Sequence, residues 1–272
     1  MSRTLVTTGN AQFSEALVAA LARHRVQTVS APGPEVTHVL MGVRPGSDKV
    51  TAVHDVLRQV PDGVPVIFLA NAFGGSDDAA IDVVKSSERP WTIVHPNALM
   101  EYSFGSMAPQ ILMGCAFGMS QRGRVGFVGL EDVVRVIARI VLDGGHEAQE
   151  YVCTGPEALD MPTVLATLSE VIGRNLDYID LPETELADLM MQHAGFDSRE
   201  DLEVNVLCHL RAWRDGGADV VTTDVVDVTG VPPMSAREWF EAHRSEFSGR
   251  PSLVQKAASR VIKARYGGRV LR

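Results

Sequence analysis

The sequence predicts an α/β protein built on a doubly wound parallel β-sheet, with a smaller α/β lobe after it. From Thr4 to Val94, short runs of β-branched and apolar residues alternate with segments of helical spacing. Val64 to Ala70 is a nearly continuous apolar run, which is typical of a strand buried on both faces of a sheet. A short turn containing Gly9 joins the first strand to the first helix. This alternation favours parallel strands with right-handed crossovers.

The first half of the chain carries the elements of this sheet. Phe13, Leu17 and Leu21 recur at helical spacing, while Val26 to Val29 has the composition of a strand. In chain order, the predicted elements are a strand at Thr4 to Thr7, a helix from Phe13 to His24, strands at Val26 to Val29 and Val36 to Val43, a helix from Lys49 to Val60, the strand Val64 to Ala70, a helix from Asp77 to Ser87 and a strand at Trp91 to Val94.

The second half is richer in predicted helices. Gly173 is expected to end one of them, and Ser235 with Glu238 three residues later is a predicted capping box. In chain order, the predicted elements are a helix at Asp132 to Leu142, a strand at Glu150 to Cys153 and helices at Met161 to Ile172, Leu186 to His193, Asp201 to Trp213 and Ser235 to Phe247. We expect a sheet domain at residues 1–125, a smaller lobe at 126–249 interleaved with it, and a basic helix or tail at 250–272.

Charge is distributed unevenly along the chain. The formal net charge is −9, yet Arg250 to Arg272 holds seven Lys or Arg and no Asp or Glu, so the remaining residues carry −16. Because an acidic body repels phosphates, nucleic acid is not expected as a partner. No apolar run approaches the roughly 20 residues of a membrane helix, and no signal peptide is recognisable, so we expect a cytoplasmic protein without an integral membrane segment.

Cysteine and histidine spacing gives no sign of a disulfide or a metal site. Cys115, Cys153 and Cys208 are widely spaced and form no CxxC pair, so we expect them to be reduced and buried. The histidines form no HxxxH or HxH pair, and no metal ligand set is expected.

The turn after the first strand is the candidate phosphate-binding loop of a Rossmann-type domain. Such a loop uses glycines for a tight turn, for close approach of backbone N–H groups to a diphosphate, and for helix packing. If Ala16-Leu17 sets the register, these three positions hold Thr8, Ala11 and Ser14, whose Cβ atoms stand where a phosphate would approach. Two interpretations stay open: the loop accepts NAD or NADP in a modified pose, or the fold is kept and the cofactor has been lost.

The candidate cofactor contacts come from this loop and from the end of the second strand. An acidic residue after that strand would bind a ribose hydroxyl, and an arginine would favour a 2′-phosphate. Ser30, Ala31 and Pro32 stand there and favour neither NAD nor NADP. The predicted contacts are Thr8, Gly9, Asn10, Ala11, Gln12, Phe13 and Ser30.

Several segments resemble the NmrA-like branch of the atypical short-chain dehydrogenases/reductases. Trp91 to Glu101, Glu150 to Leu159 and Thr223 to Pro233 are similar to motifs of that family, and Val6-Thr7 with Ala16 to Val18 fits its opening. The resemblance runs from about residue 3 to about residue 247. It implies a Rossmann-type domain, a small C-terminal substrate lobe and a cleft between them. Known members include quinone and dye reductases, isoflavone-type reductases and redox-sensing regulators.

The chain departs from this family at residues that bear on chemistry. The family's Arg before Pro96 is His95 here. The Tyr-x-x-x-Lys pair of the short-chain reductases has no counterpart, since Ile81 stands four residues before Lys85. The usual Tyr/Lys proton relay is therefore excluded.

The candidate catalytic residues follow predicted strands, at the edge where a doubly wound sheet binds its ligand. His95 is a candidate general acid or base because imidazole titrates near neutrality. Tyr102 is a candidate proton donor, and Asn71 a candidate contact for a nicotinamide ribose or a substrate carbonyl. Each also has a purely structural interpretation: His95 as a hydrogen-bonded residue at a strand end, Tyr102 as a packed aromatic ring and Asn71 as a turn residue. The candidate substrate contacts are Phe73, Asn97, Met100, Glu101, His193 and Trp213.

The basic tail is predicted to be helical from Leu253 to Tyr266. Val254, Ala257, Val261 and Ala264 fall roughly on one stripe of that helix. We expect the helix to dock on the acidic body of its own chain, with a membrane surface or a partner protein as the alternative.

These features leave three hypotheses for function. The leading one is an NAD(P)H-dependent reductase of a small aromatic or quinone-like molecule. The second is a cofactor-independent acid/base enzyme, such as a cyclase, dehydratase or isomerase, on the same fold. The third is a non-catalytic redox-sensing or regulatory protein. A homo-oligomer is compatible with each of them.

Overall fold

The chain folds into two compact units, each assembled from three segments. The computed structural model describes residues 3–8, 11–43, 47–70 and 77–271. Unit 1 is formed by Met1–Asn97, Leu130–Thr154 and Thr222–Pro233, and unit 2 by Ala98–Gly129, Gly155–Val221 and Met234–Arg272. The sequence predicts a sheet domain at residues 1–125, a lobe at 126–249 interleaved with it and a tail at 250–272; in the structure the chain changes unit after residues 97, 129, 154, 221 and 233.

The strands of both units are short. In chain order they are β1 (Arg3–Thr7), β2 (Gln27–Val29), β3 (His38–Gly42), β4 (Val66–Leu69), β5 (Trp91–Pro96), β6 (Ala98–Leu99), β7 (Cys115–Gly118), β8 (Arg124–Val125), β9 (Phe127–Val128), β10 (Gln149–Cys153), β11 (Leu159–Asp160), β12 (Asp177–Asp180) and β13 (Val270–Leu271).

The helices range from single turns to 14 residues. In chain order they are α1 (Ala11–Arg23), α2 (Lys49–Leu57), α3 (Asp78–Lys85), α4 (Met100–Ser103), α5 (Ala108–Ile111), α6 (Leu130–Asp143), α7 (Met161–Ile172), α8 (Glu183–His193), α9 (Arg199–Leu202), α10 (Cys208–Arg214), α11 (Asp224–Thr229), α12 (Ala236–Ala242), α13 (Arg244–Phe247) and α14 (Leu253–Tyr266).

Unit 1 is built on a six-stranded sheet in the order β10-β5-β4-β3-β1-β2, and every pair in it is parallel. This confirms the predicted α/β fold with a Rossmann-type parallel sheet. The chain runs from β1 outward to β2, crosses back over β1 to β3, and then continues toward the opposite edge. The strand order therefore reverses between β1 and β3, and in doubly wound sheets ligands bind at the carboxyl ends of the strands beside such a reversal.

The sheet is held by apolar packing that the sequence pattern predicts. All four residues of β4 are buried, as expected for a strand covered on both faces. Val53 of α2 and Ile81 and Val84 of α3 pack into one core with Phe68 and Ile93 of the sheet. Burial of such side chains contributes roughly 1.5–3 kcal/mol each to folding.

The outer edge of this sheet, strand β10, is covered by a segment that arrives late in the chain. The Val152 N–H donates to Asp224 Oδ2 at 2.6 Å, and the Thr222 hydroxyl donates to the Val152 carbonyl. Thr222 N–H also donates to Thr154 Oγ1 at 3.0 Å. Side chains and backbone of 222–224 thereby satisfy polar groups that an edge strand would leave exposed. Part of the Thr223 to Pro233 motif thus has a structural use.

Unit 2 contains a three-stranded sheet in the order β13-β12-β7, in which β7 and β12 are parallel and β13 is antiparallel. A cluster of aromatic rings forms a second core there. Phe104 contacts Phe127, Trp239 and Phe240 at centroid distances of 4.7, 5.6 and 4.8 Å. Phe247 packs against Phe240 at 5.7 Å.

Two predicted helix signals in unit 2 are confirmed, and two predicted helices are interrupted. Gly173 ends α7 with φ of 70°, and Ser235 and Glu238 form both bonds of a capping box. The helix predicted from Asp201 to Trp213 instead has a π-helical turn at Glu203–Leu207 between α9 and α10. The helix predicted to reach Phe247 breaks at His243, whose ring Nδ1–H donates to the Trp239 carbonyl at 2.8 Å.

The predicted C-terminal helix is present, but Ala257, Val261 and Ala264 of its apolar stripe are exposed. The ring of Tyr266 is buried against Phe117 at 5.8 Å, and β13 then pairs with β12. Leu253 and Val261, in contrast, are 83% and 66% exposed. The helix docks through Ile262 and Tyr266 because those side chains fall on the face toward the unit 2 core.

One expectation about cysteine burial needs correction. Cys115 and Cys153 are buried free thiols, but Cys208 is exposed, since it opens α10 on the outer side of that helix. Across the part of the chain that the structure describes, no helix has both the length and the apolar composition required to cross a membrane.

Candidate functional site

The β1–α1 turn lies at the carboxyl edge of the unit 1 sheet, beside the reversal of strand order. Thr8, which follows β1, is buried, and its hydroxyl lies 2.9 Å from the hydroxyl of Ser14 on α1. The first and third glycine positions are therefore occupied by hydroxyl groups that bond to each other across the turn. This bond ties the start of α1 to the end of β1.

The start of α1 has the electrostatic character of an anion site. Its first turn contains no acidic residue, so the positive end of the helix dipole is not offset there. Phe13 on this turn is half-buried. Gly9 and Asn10 lie outside the described residues, as do the side chains of Ala11 and Gln12.

The predicted contacts after the neighbouring strands have different outcomes. Ser30 follows β2 and is exposed. Asn71 and Phe73, which follow β4 in the chain, lie outside the described residues. Asn97 follows β5 and is buried, and its backbone N–H donates to the Cys153 carbonyl at 2.9 Å.

His95 on β5 belongs to a three-residue polar cluster. Its Nε2 lies 3.1 Å from Glu150 Oε2, while Lys85 Nζ donates to Glu150 Oε1 at 2.6 Å. The hydrogen bond from Lys85 holds the pKa of the Glu150 carboxyl below its usual value. A carboxylate that accepts from an imidazole fixes the tautomer and orientation of the ring. The arrangement fits both an oriented acid/base histidine and a hydrogen-bonded strand end.

Sequence reasoning missed the partners of His95. Glu150 comes near it because β10 pairs with β5, which places Glu150 opposite Ile93 in the register. The contact would have followed from the order of the strands in the sheet. That order could not be read from the sequence, in which 55 positions separate the two residues. Lys85, noted only for the missing Tyr/Lys relay, reaches the same carboxylate from α3.

A second charged pair at the carboxyl edge was also missed. Lys49, the first residue of α2, forms an ion pair with Asp77, which precedes α3, and the side chains are 13% and 5% exposed. Asp77 is the N-cap of α3, yet its carboxylate makes no capping bond, unlike Asp48, which caps α2 through Thr51 N–H at 3.1 Å. Helices that follow neighbouring parallel strands begin close to one another. The position of both residues at such helix starts is the only sequence feature that points to this pair.

The candidates on α4 lie in unit 2. Met100 is buried, Glu101 is half-buried and Tyr102 is 53% exposed, so the packed-ring interpretation of Tyr102 does not hold. Partial burial raises the pKa of the Tyr102 phenol, and the charge of Glu101 adds to the effect. Near neutral pH the phenol therefore keeps its proton. Glu101 Oε1 accepts a hydrogen bond from Trp239 Nε1 at 3.0 Å.

Trp213 and His193, the other unit 2 candidates, are on separate helices. Trp213 on α10 is 8% exposed and packs edge-on against Phe127 at 5.4 Å. Its Nε1 is buried and, among the residues that the structure describes, has no hydrogen-bond partner. His193 ends α8 and is exposed. Met190 and Met191 are partly buried against the core next to β12.

Sequence comparison finds distant reductases. The chain is 29% identical over 196 residues to NAD(P)H azoreductase of Xenophilus azovorans, covering 68% of this chain and 67% of that protein. It is 31% identical over 116 residues to festuclavine synthase II of Penicillium roqueforti, covering 41% of this chain but only 38% of that protein. No protein-family model matches the chain.

Comparison with solved structures finds proteins whose fold matches this chain over nearly their whole length. An NADPH-dependent quinone oxidoreductase of Escherichia coli aligns with a TM-score of 0.71 and 15% identity, over 89% of this chain and 99% of that one. At this identity the match establishes architecture. The chain therefore has the Rossmann-type fold that is found in NAD(P)-binding reductases.

Proposed function

We propose that this protein is an NmrA-like, NAD(P)H-dependent reductase of a small aromatic or quinone-like molecule. The observation that carries the proposal is the reversal of strand order between β1 and β3, with the β1–α1 turn beside it. Two comparisons support it: a sequence relative is an NAD(P)H azoreductase, and a protein with this fold is an NADPH-dependent quinone oxidoreductase.

The described residues on either side of the turn are compatible with a dinucleotide diphosphate. The helix start carries no acidic side chain, and the donor set of Thr8 and Ser14 is neutral. Because their hydroxyls already bond to each other, a phosphate there would rely on backbone N–H groups of the turn. We assign the diphosphate to Thr8 through Phe13 and a ribose contact to Ser30, as the sequence predicts. The exposed Ser30 carries no charge that would select NAD or NADP.

The protein residues supply positioning and proton transfer. When bound, NAD(P)H supplies the hydride. Tyr102 is the proposed proton donor, since its phenol is partly exposed and carries a proton near neutral pH. His95, oriented by Glu150, is the second candidate, and Asn71 and Phe73 remain predicted contacts.

Nucleotide binding is the direct test. Purified protein is titrated with NADPH and with NADH by calorimetry, and the as-purified protein is analysed for bound nucleotide. We expect a Kd in the micromolar range, about −8 kcal/mol of binding free energy. Absence of binding at millimolar nucleotide would exclude the reductase and leave the cofactor-independent enzyme or a regulatory protein.

Turnover and one substitution separate an enzyme from a sensor. With saturating nucleotide, reduction of a quinone and azo-dye panel is expected, and Tyr102→Phe should lower kcat about 100-fold because the proton donor is lost. Tyr151→Phe is the matched control, since the oxygen of that phenol lies 2.8 Å from Nδ1 of His146, which is not a candidate residue. Equal kcat for wild type and Tyr102→Phe would remove Tyr102 from the mechanism, and binding without turnover would favour a sensor.

A further inference from the structure

Two residues 138 positions apart, Glu101 and Trp239, are joined by a hydrogen bond inside unit 2. Trp239 Nε1 donates to Glu101 Oε1 at 3.0 Å, and the Trp239 side chain is 2% exposed. A hydrogen bond to a carboxylate is stronger than one between neutral groups, and low local polarity strengthens it further. The bond therefore fixes the Glu101 carboxylate at one place.

Trp239 itself has little freedom to move. Its ring stacks on His243 at 4.0 Å with an interplanar angle of 16°, and it meets Phe240 and Phe247 edge-on at 5.6 and 6.2 Å. The helix that carries it starts at the Ser235–Glu238 capping box. The direction of the indole N–H is thus set by packing on several sides.

Glu101, the acceptor of this hydrogen bond, lies on α4, a helix that is too short to be stable alone. α4 has only four residues, and no side chain caps its N-terminus. Such a turn is not stable alone, so its position depends on tertiary contacts. Trp239 contacts it twice, through Glu101 and through the ring of Phe104, which follows α4. Tyr102, on the same turn, leaves more than half of its surface exposed.

We infer that Trp239 is a positioning residue for the proposed reductase: by holding Glu101 it fixes α4 and so sets where the phenol of Tyr102 stands. The inference rests on the proposed role of Tyr102 as proton donor. Trp239 does not contact the reacting groups in this assignment. Its indole N–H acts through Glu101, and its ring packing supplies the rigid base for that bond.

A double-mutant cycle tests this assignment. The variants are Trp239→Phe, which keeps a ring and removes the N–H, Glu101→Ala, and the two combined, with quinone reduction measured at saturating NADPH. We expect each single variant to lower kcat about 10-fold with little change in the Kd for NADPH, because misplacement of a proton donor lowers the rate of the chemical step. The double variant should be no slower than Glu101→Ala, since the two residues act as one unit.

Two further variants control for packing. Trp91→Phe changes an indole on β5 of unit 1, and we expect unchanged kcat there. Glu101→Gln keeps an oxygen that accepts from the indole, so it should retain kcat within about 3-fold. The positioning role would be overturned if the fold-loss of kcat in the double variant equalled the product of the two single losses. It would also be overturned if Trp239→Phe kept the wild-type kcat.

A readout without activity separates this inference from the proposed function. The chain has four tyrosines, and 3-fluorotyrosine labelling gives each a ¹⁹F resonance, with the Tyr102 signal assigned by Tyr102→Phe. Trp239→Phe should shift the Tyr102 resonance, while Trp91→Phe should not. If the protein reduces nothing but the resonance shifts, the reductase fails and the positioning contact stands. An unshifted resonance in folded Trp239→Phe would overturn the contact.

Discussion

The carboxyl ends of parallel strands gather buried polar groups in both units, but the two units bury different kinds. Near the ends of β3 and β4, unit 1 holds a charged pair, the half-buried Lys49 and the buried Asp77. Near the end of β7, unit 2 buries a network centred on an uncharged phenol: the backbone N–H and the hydroxyl of Ser120 lie 3.1 and 2.9 Å from the Tyr178 phenol oxygen, and the phenol donates to Asp180 Oδ1 at 3.5 Å.

This difference decides how each region responds to change. In unit 1 the electrostatic contribution to stability depends on the presence of both charges, because removal of either one takes from the other its ion-pair partner in a largely buried place. In unit 2 the electrostatic contribution to stability depends on the Tyr178 phenol keeping its proton. The packing there is tight, since a Cβ at Gly118 would lie 2.3 Å from the Tyr178 oxygen. Three substitutions sharpen this contrast.

The largest effect is expected in unit 1. Lys49→Met should lower the free energy of unfolding by about 3–5 kcal/mol, because it leaves the Asp77 carboxylate buried and unpaired with its lysine. The double variant Lys49→Met/Asp77→Leu should recover to within about 1 kcal/mol of wild type, since neither charge is then buried. Urea unfolding at pH 7 measures both. Asp55→Asn, which breaks an exposed pair with Arg58 on α2, is the control and should change little. A double variant as unstable as the single one would contradict this account.

The second effect depends on pH and belongs to unit 2. Burial raises the pKa of Tyr178 from 10.0 to about 12. A group whose pKa is raised on folding contributes stability below the unfolded pKa and loses it as pH rises through the folded pKa. Between pH 9 and pH 12 the free energy of unfolding should therefore fall by about 2 kcal/mol more in wild type than in Tyr178→Phe. If the free energy of unfolding changed with pH in the same way in both proteins, the pKa of Tyr178 would not be raised by folding.

The smallest effect concerns a buried polar atom outside both networks. Trp213 Nε1 is buried, and the described residues give it no hydrogen-bond partner. Removal of an unsatisfied buried donor relieves a desolvation penalty, so Trp213→Phe should leave stability unchanged or raise it by up to about 1 kcal/mol. Thermal unfolding measures this. A loss above about 2 kcal/mol would mean that the indole fills space that a phenyl ring cannot.

Unit 1 could be predicted from the sequence because its signals are local. The run from Val64 to Ala70 gives β4, and helical spacing from Lys49 gives α2, within a few residues of the observed bounds. The sequence predicts a strand at Glu150 to Cys153, where β10 is found, but it does not predict the place of that strand beside β5. Local periodicity carries no information about which strand lies next to which.

The site was less predictable than the fold for the same reason. Candidates such as His95 and Tyr102 follow from strand ends and side-chain chemistry. Their partners Glu150 and Trp239 reach their positions only through contacts between distant segments. Helix α14 is a further case, since an amphipathic pattern does not say which face meets the core. Ile262 and Tyr266 meet it, while Val261 of the predicted stripe is exposed.

The late cover on strand β10 has a consequence for synthesis on the ribosome. All six strands of the unit 1 sheet have been translated by Cys153, but Thr222 and Asp224, which occupy its outer edge, are translated about 70 residues later. During that interval a nascent chain exposes an uncovered strand that can pair with neighbouring chains. Translation speed between these two points therefore bears on the yield of native protein, and chaperones that bind exposed strands would act in this window.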